Sequence, residues 1–120
     1  MLAKEILIKT LEMIETKGWV KGIGNELTGY CLLHTIRMVS FNHLHVFTQE
    51  EVLSKNFPDV SEYIKSLNIV FDEIAKETDW FKTNSFKHWD EWAISAWNDE
   101  QSRTKEDVIR ILKQSINSCE

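Results

Sequence analysis

Proline, cysteine and positive charge are all scarce in this chain, and glycine is confined to one short stretch. A single proline in 120 residues leaves long segments free to run as helix, since proline removes a backbone donor and clashes with the preceding turn. Two cysteines, Cys31 and Cys119, fall short of the four or more that a bridge-stabilised secreted domain carries. Both are therefore read as reduced thiols of a cytoplasmic protein, with a Cys31–Cys119 bridge as the alternative. Fourteen Lys and Arg face 19 Asp and Glu, for a net charge of −5. Nucleic-acid binding draws on Lys and Arg that displace counterions from phosphates, so this balance argues against it as the main task. No apolar run approaches the roughly 18 residues of a membrane-spanning helix. The first residues, Met1 to Glu5, open a helical charge pattern and not a secretion signal.

What is present is hydrophobic periodicity. A hydrophobic share of 42% with 28% charged residues fits a folded globule and not a disordered chain, and the length fits one domain over residues 1–120. Ala3, Leu7, Leu11 and Ile14 share one stripe, which predicts a helix over 2–17 that Gly18 ends in the left-handed conformation. Gly18, Gly22, Gly24 and Gly29 then mark a loop or short hairpin. Residues 27–49 hold one formal charge, Arg37, so the central helix at 30–46 is expected to be buried on most sides, with Ser40-Phe41-Asn42 as its candidate break. Thr48 with Glu51 has capping-box spacing and opens a short helix that stops before Pro58. Asp59 with Glu62 offers another start, followed by the stripe Val60, Ile64, Leu67, Phe71 and Ile74. Residues 78–88 read as loop, after which Phe86, Trp89, Trp92 and Ala96 recover the helical period. Thr104 with Asp107 caps a last helix carrying Val108, Ile111, Leu112 and Ile116. The expected architecture is an all-α bundle of five or six helices with a short hairpin near residues 18–29.

The candidate chemistry is sparse. Gly22-Ile23-Gly24 is followed by Leu27 where a dinucleotide fingerprint needs its third glycine, so turn geometry explains the cluster. Cys31 stands near the start of the central helix, where unpaired N–H groups favour a thiolate, and His34 lies one turn on. Asn98 or Asp99 would supply the third, orienting group of a nucleophilic set. The plainer reading makes Cys31 a small buried hydrophobe. His43 and His45 point about 200° apart on a helix. Only Cys31 and His34 are placed to share an ion, and two ligands do not make a zinc site. No metal and no cofactor are expected.

Six aromatic residues crowd residues 80–97: Trp80, Phe81, Phe86, Trp89, Trp92 and Trp97. They form either a dense layer of the core or, in part, exposed interface anchors, with at least one of Trp80 and Phe81 expected to be partly exposed. Asp90, Glu91, Asp99 and Glu100 flank them as an acidic rim suited to a basic partner. Trp97-Asn98-Asp99 followed by Arg103-Thr104 reads as a bracket between two helices, with Arg103 paired to Asp99 across the turn. In a binding version, Arg103 holds an anion at the start of the last helix.

Gly18-Trp19 with Gly22, Cys31-Leu32-Leu33, and Ala96-Trp97-Asn98-Asp99 with Arg103-Thr104, Glu106, Val108, Ile109 and Leu112 together resemble an uncharacterised domain family of small bacterial and phage proteins. The resemblance implies a fold relative and a bacterial or phage setting, and it brings no activity. His34-Thr35 departs from the small residues, often Gly-Ala, that the family places there.

Two functional expectations follow. The first is an acidic helical interaction protein that binds a protein partner or itself without catalysis, a phage-encoded inhibitor of a host protein being one concrete form. Its anchors would be Trp80, Phe81, Trp89, Trp92, Asp90, Glu91, Asp99 and Arg103. The second is a small enzyme or ligand-binding domain built on Cys31, His34, Asn98, Asp99 and Arg103.

Overall fold

The computed structural model describes residues 2–22, 24–25, 27–41, 61–77 and 91–119. The expected cap at Thr48–Glu51, the stop before Pro58, and the residues Trp80, Phe81, Phe86, Trp89 and Asp90 lie outside them. The architecture is all-α. Helix α1 (Ala3–Lys17) buries Ala3, Ile6, Leu7, Thr10 and Ile14. Its first amide is capped from across the fold, Ala3 N donating to Glu62 Oε1 at 2.9 Å. Gly18 ends the helix, its N–H donating to Ile14 O at 3.0 Å. The conformation there corrects the left-handed expectation: φ is 104° but ψ is 176°, an extended region open essentially to glycine alone. The chain thereby leaves α1 on a course that brings Trp19 beside Tyr30 as a parallel bridge.

The glycine stretch does form a hairpin. β1 (Gly24–Asn25) and β2 (Gly29–Tyr30) pair antiparallel, with Gly24 opposite Tyr30 and Asn25 opposite Gly29. At Gly29, where φ is 87°, a side chain would place its Cβ 2.3 Å from the Gly18 carbonyl oxygen. Only glycine lets the two backbones approach so closely.

Helix α2 (Leu32–Phe41) follows, burying Leu32, His34, Thr35, Ile36 and Arg37. Helix α3 (Ser61–Glu77) places Leu67, Phe71 and Ile74 inward as their spacing requires, with Tyr63, Ser66 and Val70 beside them. Helix α4 (Glu91–Asn98) buries Ala93, Ile94 and Trp97. Trp97 is a core residue. Helix α5 (Lys105–Ser118) carries both halves of its capping box: Asp107 N donates to Thr104 Oγ1 at 3.2 Å, and Thr104 N donates to Asp107 Oδ2 at 3.0 Å. Helix α1 packs on α2, α3 and α5, while α4 lies across α2 and α3. One core joins them, built on Leu7, Ile14, Leu32, Ile36, Leu67, Ile74, Ile94, Trp97, Ile111 and Leu112. Among the described residues no helix is long and apolar enough to cross a membrane.

Candidate functional site

Asn98 ends α4 and is fully buried, so its carboxamide must find all its partners inside the protein. It does. Oδ1 accepts from Trp19 Nε1 and from Leu32 N, the latter at 2.9 Å. Nδ2 donates to Val20 O at 3.2 Å and to Asp99 Oδ1 at 3.0 Å. Two acceptor positions and two donors complete what a carboxamide offers. Asp99 extends the hub, its Oδ1 also accepting from Gly22 N at 2.8 Å. Lys21 Nζ adds a bond to Gln101 O at 2.6 Å. The Gly-Trp turn, the first turn of α2 and the last turn of α4 are thus one unit. Arg103 is part of this frame in a different way from the one expected. Its Nε donates to Trp97 O at 2.9 Å, and its guanidinium carbon stands 3.9 Å from the Trp97 ring centre. Cation–π contact and the Trp97 carbonyl, whose backbone bond from Glu100 N is long at 3.4 Å, draw it there, away from Asp99. Burial pushes the Arg103 guanidinium below its ordinary value, while Asp107 and Glu100 oppose that shift.

Cys31 precedes the first residue of α2 and caps it. Its Sγ accepts from His34 N at 3.3 Å, the bond that a Ser or Asp side chain makes at a helix start. Its carbonyl takes Thr35 N at 3.0 Å and Thr35 Oγ1 at 2.8 Å. Burial pushes the thiol up; the His34 N–H pulls it down, Asp99 adds to the rise, and Leu33 N–H and Arg37 oppose it. The net shift is upward, so the resting group at neutral pH is the thiol and not the nucleophilic thiolate. Cys31 and His34 do come together, through the His34 backbone, while the His34 ring stacks on Tyr30 with centroids 4.7 Å apart.

Beside this cap lies a cavity of about 160 Å³ lined by Gly22, Cys31, Leu33, His34, Arg37, Ser95 and Asp99. Its floor is made of the buried Cys31, His34 and Arg37, and its mouth of the exposed Gly22 and Asp99. Arg37 was legible in the sequence only as a lone charge in an apolar segment; here it is held in place from behind. Its Nε donates to Glu91 Oε2 at 2.7 Å and to Tyr63 Oη at 3.2 Å, and its Nη2 closes an ion pair with Glu91 Oε2 at 2.5 Å. The Tyr63 hydroxyl donates to the same carboxylate oxygen. Burial pulls the guanidinium toward neutrality, but the facing Tyr63 and Glu91 outweigh that and hold it above its ordinary value. Burial, reinforced by Glu91, pushes the Tyr63 phenol far up. Glu91, expected on an acidic rim, is instead buried in this triad, because the Arg37 charge inside the bundle requires a counter-charge.

Three residues that line the cavity, Arg37, Ser95 and Asp99, each carry a polar atom that makes no hydrogen bond among the described residues. Arg37 Nη1 takes no part in the triad, and Ser95 Oγ and Asp99 Oδ2 have no hydrogen-bond partner among the described residues. Of the five residues in the ligand-binding expectation, Cys31, His34 and Asp99 meet at the cavity, Asn98 stands behind Asp99, and Arg103 is turned to Trp97 instead. Arg37 and Ser95 were missed. The signal for Arg37 was its isolation in an apolar helix, since a buried charge demands partners. Ser95 had no signal. Among the described residues no three His, Cys, Asp or Glu side chains converge on one metal-binding point. An open depression between α1 and α2, lined by Lys9, Glu12, Met13, Thr16, Lys17, Met38 and Val39, is broader, but none of its lining residues is buried.

A family model described as "Family of unknown function (DUF6197)" matches residues 1–118 of the chain. No curated protein and no solved structure matches it.

Proposed function

Since the chain belongs to the family of unknown function DUF6197, we propose its role from its own geometry: a small helical domain that binds a small polar molecule in the cavity between α2 and α4. The observation that carries this reading is that Arg37, Ser95 and Asp99, each with a polar atom unpaired among the described residues, line one cavity with Cys31 and His34. Small-molecule sites are concave, mostly apolar and furnished with a few convergent polar groups. The Asn98 hub supports the reading as well, because a wall already frozen by hydrogen bonds spares the ligand the cost of ordering it. Binding is favoured over thiol catalysis because Cys31 rests as a neutral thiol that caps a helix. Alkylation with iodoacetamide at pH 7.5 (a working pH chosen, as is usual, at about one unit below a free thiol's ordinary value) should label the half-buried Cys119 well before Cys31.

The direct test is a thermal-shift screen of small polar fragments against the wild type and Ser95→Leu, a change that fills the cavity from its half-buried wall. A fragment present at about ten times its Kd raises wild-type stability by about 1.4 kcal/mol. The reading requires that this gain vanish in Ser95→Leu. Fragments that stabilise both proteins equally bind elsewhere and contradict it.

A second reading, an interaction module for a basic protein partner, is supported by the net charge of −5 and by the aromatic residues of 80–97. In the bacterial or phage setting that the motifs suggest, an inhibitor of a host protein is the concrete form, and the two free thiols suit a reducing cytoplasm. Its test is affinity capture from host lysate: one stoichiometric partner, released by high salt and lost with Asp90→Lys, supports it. A partner indifferent to both is evidence against it.

A further inference from the structure

The cavity is bipolar from floor to mouth. At its buried floor stands Arg37, its guanidinium fixed by Glu91 and Tyr63 through Nε and Nη2, which leaves Nη1 without a partner among the described residues. At its exposed mouth stands Asp99, whose Oδ1 is taken by Gly22 N and Asn98 Nδ2 and whose Oδ2 has no partner among the described residues. Ser95 lies on the α4 side of the cavity, and its hydroxyl can donate or accept. Cys31 feels both ends, with Asp99 and Arg37 acting on its thiol in opposite senses. The volume of about 160 Å³ is roughly ten times the space one water needs, so the cavity suits a molecule of several heavy atoms.

A ligand bearing only an anionic group would meet Arg37 but face Asp99 at the entrance. One bearing only a cation would meet Asp99 and press its other end against a guanidinium. A molecule with a carboxylate at one end and an ammonium at the other satisfies both, and charge-assisted hydrogen bonds are the strong ones. We infer that the cavity recognises a small zwitterion of the free α-amino-acid type, its carboxylate toward Arg37 Nη1, its ammonium toward Asp99 Oδ2, and Ser95 Oγ alongside. This rests on the cavity being the binding site. Leu33 gives the side chain of the ligand an apolar contact, which favours a short aliphatic or hydroxylated amino acid over a charged one.

Protein-observed NMR titration of the full chain tests this with L-alanine, acetate and methylamine as three separate probes at equal concentration. L-Alanine should shift the amides of Gly22, Ser95 and Asp99 saturably, with acetate and methylamine at least about tenfold weaker, the effect of losing one charge-assisted contact. Asp99→Asn keeps the Oδ1 acceptor for Gly22 N and should weaken L-alanine by about tenfold. If that variant folds poorly, Ser95→Ala, which removes a hydroxyl with no hydrogen-bond partner among the described residues, serves with a smaller loss. Acetate or methylamine binding as well as L-alanine would overturn the zwitterion assignment and leave the cavity reading standing. So would silence from all three probes while a screening fragment shifts the same amides. Silence from every probe and fragment would overturn both.

Discussion

Helix α4 is fastened to α2 at both of its ends, by opposite chemistries. At its first residue, Glu91 meets Arg37 of α2 and Tyr63 of α3 in a buried ionic triad. At its last, Asn98 meets Trp19, Val20 and Leu32 N in a buried neutral hub. The hub is complete, with every donor and acceptor of the carboxamide used. In the triad, Glu91 Oε1 is buried with no hydrogen-bond partner among the described residues. A satisfied neutral group contributes modestly and reliably, about 1 kcal/mol per bond. A buried ion pair has a desolvation cost that its attraction need not exceed, so stability is a weak explanation for its presence. The difference teaches that the two ends serve different purposes. The hub fixes the turn that carries Asp99 and Gly22, and the triad fixes Arg37, and all three residues line the cavity.

The largest effect expected from breaking this comparison is at Arg37. Arg37→Met leaves the Glu91 carboxylate buried and unpaired and should cost about 3–5 kcal/mol in urea unfolding. Adding Glu91→Leu should recover most of that loss, because an apolar replacement of a whole ion pair is often neutral. A double variant as unstable as the single would show that the triad is a stabilising element after all. Next in size is Asn98→Ala, which strands the Trp19 indole N–H, the Leu32 amide and the Val20 carbonyl, for about 3 kcal/mol. Here no paired replacement should restore stability. In the Asn98→Ala background, Trp19→Phe should cost clearly less than it does in the wild type, and equal costs would mean that the two residues are not coupled.

The smallest effect is a pH dependence confined to the triad. The folded-state pKa of Tyr63 is raised above the unfolded value of about 10, so its contribution is fully present below pH 10 and is lost as pH rises beyond that. Wild-type stability should therefore fall above pH 10 by up to about 1.4 kcal/mol per pH unit more steeply than that of Tyr63→Phe. Parallel curves for the two proteins would remove Tyr63 from the triad.

The same contrast explains what was legible in the sequence. The stripe Leu67, Phe71, Ile74 and the box Thr104–Asp107 were legible because their partners lie within a turn or two, where spacing encodes direction. Asn98 was legible as the end of a helix, but not as a hub. Its partners Trp19 and Leu32 lie 79 and 66 residues away, and a hydrogen bond between distant residues leaves no period behind. Gly18 was legible as a stop, whereas its ψ is set by where Tyr30 waits for Trp19. Arg37 stood out as an isolated charge, yet nothing in the spacing tied it to Glu91, which its acidic neighbours made look like surface. The cavity itself is a product of three elements meeting, so only the cysteine, histidine and aspartate on its lining could be proposed beforehand.

Chemical-shift mapping of the full chain against a mixed set of small polar fragments tests the central claim most directly. The account predicts shifts that cluster at Gly22, Cys31, His34, Ser95 and Asp99, with Met13, Met38 and Val39 in the α1–α2 depression unmoved. Shifts centred on that depression, with the cavity amides silent, would contradict it.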